Sequence, residues 1–226
     1  RFHETRKKVY LDSFIEKEWD KYRVERLQNR IDAMKDRAPQ TDTLYPDPGN
    51  AGNITGNKFK PGVWALTFDD GPHPTHTQGM VDALRSANMR GTFFWLSQNL
   101  QKYPQMSALA QQAGFRRASH SFSHANLPTL GETALNHEII DAVSAFEKVV
   151  GAKPTFFRCP YGACGSNGSK IRQKIASQGM MHVFWNVDTL DWQDKNAESI
   201  FQRAKKQMEV LGRGVVLFHD IHPQSV

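Results

Sequence analysis

The sequence predicts an α/β fold built on a parallel sheet, either open or closed into a barrel. From residue 63 onward, short apolar segments alternate with helical stretches, the order that parallel strands with right-handed crossovers require. At 226 residues the chain is long enough to bury one full core. Hydrophobic residues make up 39% and charged residues 23%, a globular balance, and no apolar run reaches membrane-spanning length.

Taken in order, residues 1–37 are dense in both charge signs and lack Pro and Gly. Leu11, Ile15, Trp19 and Tyr22, then Val24, Leu27, Ile31 and Met34, mark an amphipathic helical extension with a narrow apolar stripe. Such a stripe packs on its own domain or forms a seam for self-association. Residues 38–62 turn to Pro, Gly and Asn and read as a linker. The third region, 63–226, is expected to be the α/β domain. Its strands are expected at 63–68, 92–96, 115–119, 155–158, 181–187 and 215–219. Its helices are expected at 75–89, 104–113, 130–150, 169–178 and 197–211.

The chain opens on Arg1-Phe2-His3 rather than on Met and an apolar leader, so a processed form is expected. A net charge of +6 favours anionic partners, such as an acidic wall polymer, nucleic acid or lipid head groups. Cys159 and Cys164 lie five apart in a turn-rich loop that could close a small disulfide, and the sequence leaves both states open.

Polar clusters fall at the carboxyl ends of the expected strands, where α/β barrels carry their chemistry. Thr67-Phe68-Asp69-Asp70-Gly71-Pro72 sets two carboxylates side by side. Adjacent strand-end residues point opposite ways, so one can bind a metal while the other moves a proton. His120 and His124, four apart, can grip one ion, and with Asp70 they form a set that leaves coordination positions open. Arg158 can pair with a carboxylate, and the Pro160-Tyr161-Gly162 turn offers backbone N–H groups of the kind an oxyanion needs. Asp188 to Trp192 supplies two acids and a flat ring, and Leu217-Phe218-His219 ends the last strand on an imidazole.

These five ordered motifs resemble those of the polysaccharide deacetylases of carbohydrate esterase family 4, the NodB-homology domain, over roughly residues 60 to 222. The resemblance implies a distorted (β/α) barrel of about seven strands. It implies Asp70, His120 and His124 as ligands of one divalent metal, usually zinc. Asp69 would be the general base, held by Arg158, and His219 the general acid, tuned by Asp191. The Tyr161 backbone N–H would stabilise the oxyanion, with Trp192, Leu217 and Pro160 contacting substrate. One departure is that Ala118-Ser119 precedes His120, where the family more often has Gly followed by Asn or His.

The implied activity is metal-dependent removal of N-acetyl groups from amino sugars of a polysaccharide, with peptidoglycan N-acetylglucosamine favoured. Chitin or chitooligosaccharide is the alternative. The expected partner is the glycan, with no nucleic acid and no transmembrane segment, in an exported enzyme of the periplasm, cell wall or exterior. Two readings from other classes compete. A non-catalytic carbohydrate-binding barrel would be expected to lack Asp69 or His219. An iron(II) oxygenase shares the two-His, one-carboxylate set, but the extra acid, the Arg and the final His fit hydrolysis better.

Overall fold

The computed structural model describes residues 54–226. The helical extension expected at 1–37 and most of the linker expected at 38–62 lie outside the described residues. The strands are β1 (Trp64–Asp69), β2 (Gly91–Trp95), β3 (Arg116–Ser119), β4 (Phe156–Phe157), β5 (Met181–His182), β6 (Val187–Asp188) and β7 (Gly214–His219). They form one sheet in the order β5-β4-β3-β2-β1-β7-β6, every pair parallel, curled into a half-barrel. The helices are α1 (His76–Ser86), α2 (Ser97–Lys102), α3 (Pro104–Gln112), α4 (Glu132–Asn136), α5 (Ala142–Val150), α6 (Lys170–Ser177) and α7 (Ala197–Leu211). A π-helical turn, His137–Asp141, joins α4 to α5.

Strand alternation divides the core. Phe68, Phe93 and Trp95 pack with Met80, Val81 and Leu84 of α1 and with Leu100 of α2. On the inner side, Phe94, Ala118, Val183 and Val215 make a second cluster, joined by Ile54 and Phe59. Burying each of these large apolar side chains contributes roughly 1.5–3 kcal/mol. Helix ends follow local chemistry. The Asn196 side chain accepts from the Ser199 N–H at 2.9 Å to start α7, and Gly212, at φ 67°, ends it in the left-handed region.

Sequence expectations differ from the fold in several places. The segment 181–187 is not one strand but two, at opposite edges of the sheet. Between them, the Arg158 guanidinium binds the carbonyls of Val183 (3.0 Å) and Phe184 (3.2 Å), diverting them from a strand ladder. The chain there crosses from β5 to β6, with Phe184 and Trp185 stacked at 4.2 Å. Helix α2, six residues, is not predicted by the apolar pattern, and the helix expected at 130–150 starts at Glu132 and is interrupted by the π-helical turn His137–Asp141.

The last part of the expected linker is structural. Ile54 bridges in parallel to Val183, donating to the His182 carbonyl at 3.0 Å and accepting from the Phe184 N–H at 2.8 Å. It thereby covers the β5 edge. At Gly56 (φ 83°) a Cβ would come within 2.5 Å of the Gly214 backbone, so only glycine lets the two chains approach.

Candidate active site

Register brings the motifs together. Asp69 at the end of β1 lies opposite His219 at the end of β7, and Ser119 pairs with Phe157, which sets His120 beside Arg158. Four of the five motifs then leave their strands through loops with left-handed backbone. Among the described residues, six non-glycine residues have positive φ, and five of them are Asp70 (74°), Ser121 (73°), His124 (69°), Tyr161 (59°) and Leu190 (54°). Each such conformation costs roughly 1–3 kcal/mol and persists only where its surroundings over-determine it.

At the centre, Asp70 Oδ1 lies 3.3 Å from Nε2 of both His120 and His124. This oxygen is buried and receives no well-formed hydrogen bond. The His120 Nδ1 is paired with the Arg158 carbonyl at 2.8 Å. A carbonyl accepts only, so Nδ1 carries the proton and Nε2 turns a lone pair toward Asp70. Two ring nitrogens and an orphaned carboxylate oxygen thus converge, all within 4.8 Å of one another, an arrangement that fits one divalent metal ion. Burial pushes the Asp70 carboxyl up, yet the surrounding histidines hold it well below the usual carboxylate range.

Asp69 points the other way and is buried. Its Oδ1 accepts from the Arg158 Nη1 at 2.6 Å, and its Oδ2 lies 3.7 Å from His120 Nε2. Arg158 is wholly buried and fully engaged, also reaching Thr67 Oγ1 at 3.0 Å and lying 4.2 Å from the Phe94 ring centroid. Opposite stands His219, whose Nδ1 pairs with Asp191 Oδ1 at 2.7 Å while its Nε2 lies 4.0 Å from Asp70 Oδ2. Burial alone would lower the His219 pKa, but the Asp191 contact and the charges of Asp69 and Asp70 push it up to about 9. Asp191 is raised by burial and brought below its ordinary value by His219 and Ser225.

The loops are held individually. The Thr189 hydroxyl donates to the Leu217 carbonyl at 2.7 Å, docking the Asp188–Trp192 motif on β7. Cys159 and Cys164 form a disulfide that closes the loop carrying Tyr161. The Tyr161 ring meets His124 edge-on at 4.6 Å and is 68% exposed. Trp192 is 55% exposed, so both rings are open to a large ligand, whereas Leu217 and Pro160 are buried. His73 serves locally, its Nδ1 accepting from the backbone N–H groups of Thr75 and His76 at the start of α1.

Four supporting residues escaped the sequence reading. Asp220 is buried and accepts from the Gly71 N–H (3.1 Å), Trp95 Nε1 (3.0 Å) and the Thr77 hydroxyl. Burial pushes its carboxyl up to about 7. A Cβ on Gly71 would overlap that carboxylate, which explains the glycine after Asp70. Ser225 and Gln224 bind Asp191 from the carboxyl-terminal turn, through its Oδ2 and its carbonyl. Glu138, in the π-helical turn, binds the loop between His120 and His124. Only Asp220, next to His219, carried any positional signal.

Comparison with known proteins bears on the fold and the family. Residues 56–183 match the family model described as Polysaccharide deacetylase. The peptidoglycan-N-acetylmuramic acid deacetylase PdaC of Bacillus subtilis is 30% identical over 221 residues, which is 97% of this chain and 42% of that protein. A chitooligosaccharide deacetylase of Azorhizobium caulinodans is 30% identical over 177 residues, 76% of this chain and 79% of that protein. A solved peptidoglycan N-acetylglucosamine deacetylase, 30% identical, superposes with a TM-score of 0.68 over 75% of this chain and 77% of its own. The chain spans less than half the length of the Bacillus subtilis relative. With its family model matched over most of the half-barrel and the five motifs gathered at one end of the sheet, the chain belongs to the polysaccharide deacetylase family.

Proposed function

We propose that this protein hydrolyses N-acetyl groups from amino sugars of a polysaccharide, with peptidoglycan N-acetylglucosamine as substrate. One observation carries the reading: Asp69 and His219 are register partners on β1 and β7, flanking the Asp70–His120–His124 cluster. The base is held by Arg158 and the acid by Asp191, so the two groups have separate environments, as opposite proton-transfer roles require.

Asp70, His120 and His124 would hold the metal, and zinc suits two imidazoles and a carboxylate with positions left open. The chemistry supplied there is polarisation of the acetamide carbonyl and a lowered pKa for water. Asp69 takes a proton from the attacking water, its carboxylate aimed by the Arg158 guanidinium. The Tyr161 N–H stabilises the oxyanion. His219 gives its Nε2 proton to the departing amine, and its raised pKa keeps it protonated at neutral pH. Trp192 and Leu217 wall the space for the acetyl methyl, with Pro160 behind the Tyr161 turn. No serine or thiol nucleophile is needed, and Cys159 is committed to its disulfide.

The site of action is the cell wall, outside the cytoplasm. The disulfide fits an oxidising compartment, and the net charge of +6 fits an anionic wall polymer. No helix among the described residues is long and apolar enough to cross a membrane.

The deciding assay is acetate release from purified peptidoglycan and from chitin oligosaccharides, with zinc and then with a chelator. Chelator-sensitive release from peptidoglycan, leaving free amines on glucosamine, is the expected result. Free amines on muramic acid would move the reading to the sugar named for the Bacillus subtilis relative. Release from chitin oligosaccharides alone would favour the second reading, which rests on the chitooligosaccharide deacetylase that this chain matches over most of its length. No release from either would overturn the proposal.

The raised pKa of His219 gives a pH prediction. Because the folded value lies above 6.5, its stabilising contribution is complete below pH 6.5 and is lost as pH rises through about 9. Competence as an acid falls only as pH passes through about 9. Asp191→Asn removes the main raising interaction, so the alkaline limb of kcat/KM should shift toward neutral pH. An unmoved limb would show that another group sets it.

A further inference from the structure

Between the two histidine ligands runs the loop Ser121-Phe122-Ser123, four of whose backbone groups are bound by neighbouring elements rather than by the sheet. Its carbonyls go to the first turn of α2, with the Ser97 N–H on the Ser121 carbonyl at 3.0 Å and the Gln98 N–H on the Phe122 carbonyl at 3.1 Å. Its amides go to one carboxylate. Glu138 Oε2 accepts from the Phe122 N–H at 3.1 Å and from the Ser123 N–H at 2.9 Å, and Oε1 accepts from the Ser123 hydroxyl. Inside the loop, the His124 N–H donates to Ser121 Oγ at 3.1 Å.

Glu138 is only 4% exposed, an unusual burial for a glutamate in a helical segment. It stands in the π-helical turn His137–Asp141, a distortion that proteins concentrate at functional sites. The residue beside it, Ile139, is buried in the apolar cluster with Leu127, Leu135 and Val143, which anchors the turn. The loop it binds needs that support, since Ser121 and His124 both have left-handed backbone, at φ 73° and 69°. Without the carboxylate, two amides and a hydroxyl would lose their acceptor, and both backbone distortions would lose a constraint. The ionised carboxylate offers acceptors to all three donors; a Gln would keep an oxygen for the two amides but lose the charge that strengthens those bonds, and its N–H would meet Ser123 Oγ as donor instead of acceptor.

We propose that Glu138 is a positioning residue of the metal site: by clamping the Phe122 and Ser123 amides it holds His120 and His124 with both Nε2 atoms turned to Asp70. This rests on the reading of Asp70, His120 and His124 as metal ligands. Glu138 acts through the loop, and its role is metal affinity rather than proton transfer.

The test is zinc titration of the full chain against a chromophoric chelator, for wild type, Glu138→Gln, Ser123→Ala and Ile139→Val. Glu138→Gln should weaken zinc binding about 10- to 100-fold, the range for partners that orient metal ligands. Acetate release at saturating zinc should return close to the wild-type rate. Ser123→Ala, which removes one donor only, should weaken binding by a smaller factor in the same direction. Ile139→Val loosens the same turn without touching the loop, so it should lower the melting temperature and leave zinc affinity unchanged. Zinc affinity in folded Glu138→Gln within about twofold of wild type would overturn the proposal. So would an Ile139→Val loss as large as that of Glu138→Gln, because that is the mark of a merely structural turn. If Glu138→Gln does not fold, Ser123→Ala decides, and unchanged affinity there overturns the proposal too. A wild-type chain that binds no zinc would instead overturn the ligand assignment itself, a failure visible before any variant is made.

Discussion

Asp69→Asn should lower turnover by about 100- to 10,000-fold while zinc remains bound, because it removes the proposed general base and none of the proposed ligands. The geometry separates the two adjacent carboxylates. Asp69 is committed to Arg158 at 2.6 Å, whereas Asp70 presents its orphaned oxygen to His120 and His124. The amide of Asn keeps an oxygen for Arg158, so the fold should survive. His120→Ala should lose zinc and turnover together, since its Nε2 belongs to the converging set. Steady-state kinetics with zinc titration on both variants checks this. Equal loss of zinc in the two would mean that Asp69 and Asp70 have exchanged roles.

Arg158→Met should be the most damaging single change to the fold. Arg158 is fully buried and makes hydrogen bonds to Asp69, Thr67, Val183 and Phe184. Its removal leaves the Asp69 carboxylate buried without its counter-charge, and breaking one side of such a pair costs about 3–5 kcal/mol. For a chain of this length that corresponds to a fall in melting temperature of roughly 10 °C. The crossing from β5 to β6 should loosen as well, because the carbonyls of Val183 and Phe184 lose their donor. Calorimetry is the direct measurement. A melting temperature within about 2 °C of wild type would show that the pair contributes little beyond orientation.

Legibility in the sequence followed periodicity and spacing. The strands β1, β2, β3 and β7 and the helix α7 fell close to their expected ranges; in β1, β2 and β7 the apolar run announces the strand, and β3, Arg116–Ser119, is marked chiefly by its place before the His120 motif. The short β5 and β6 could not be separated, since the carbonyls between them are bound by the Arg158 side chain from the loop after β4. Helix α2 has six residues, too few for a full amphipathic repeat. The residues expected at the site are gathered as the motifs implied, with Asp70, His120 and His124 converging and Asp69 and His219 on either side. Their supports stayed hidden. Glu138 lies in a segment that also carries Asp141, and nothing local distinguishes a carboxylate turned inward from one facing water. Ser225 and Gln224 sit in an unremarkable turn and matter only because it folds back onto Asp191.

By itself the sequence determined the fold class, most of the order of strands and helices and the residue types at each strand end, since these follow from local apolar period and turn chemistry. Only the tertiary structure decided which carboxylate faces the histidines, which is locked to Arg158, that the two cysteines are joined, and that distant acids brace the loops. Those outcomes depend on strand register and on donors meeting acceptors more than a hundred residues apart, as when Gly71 and Trp95 both reach Asp220.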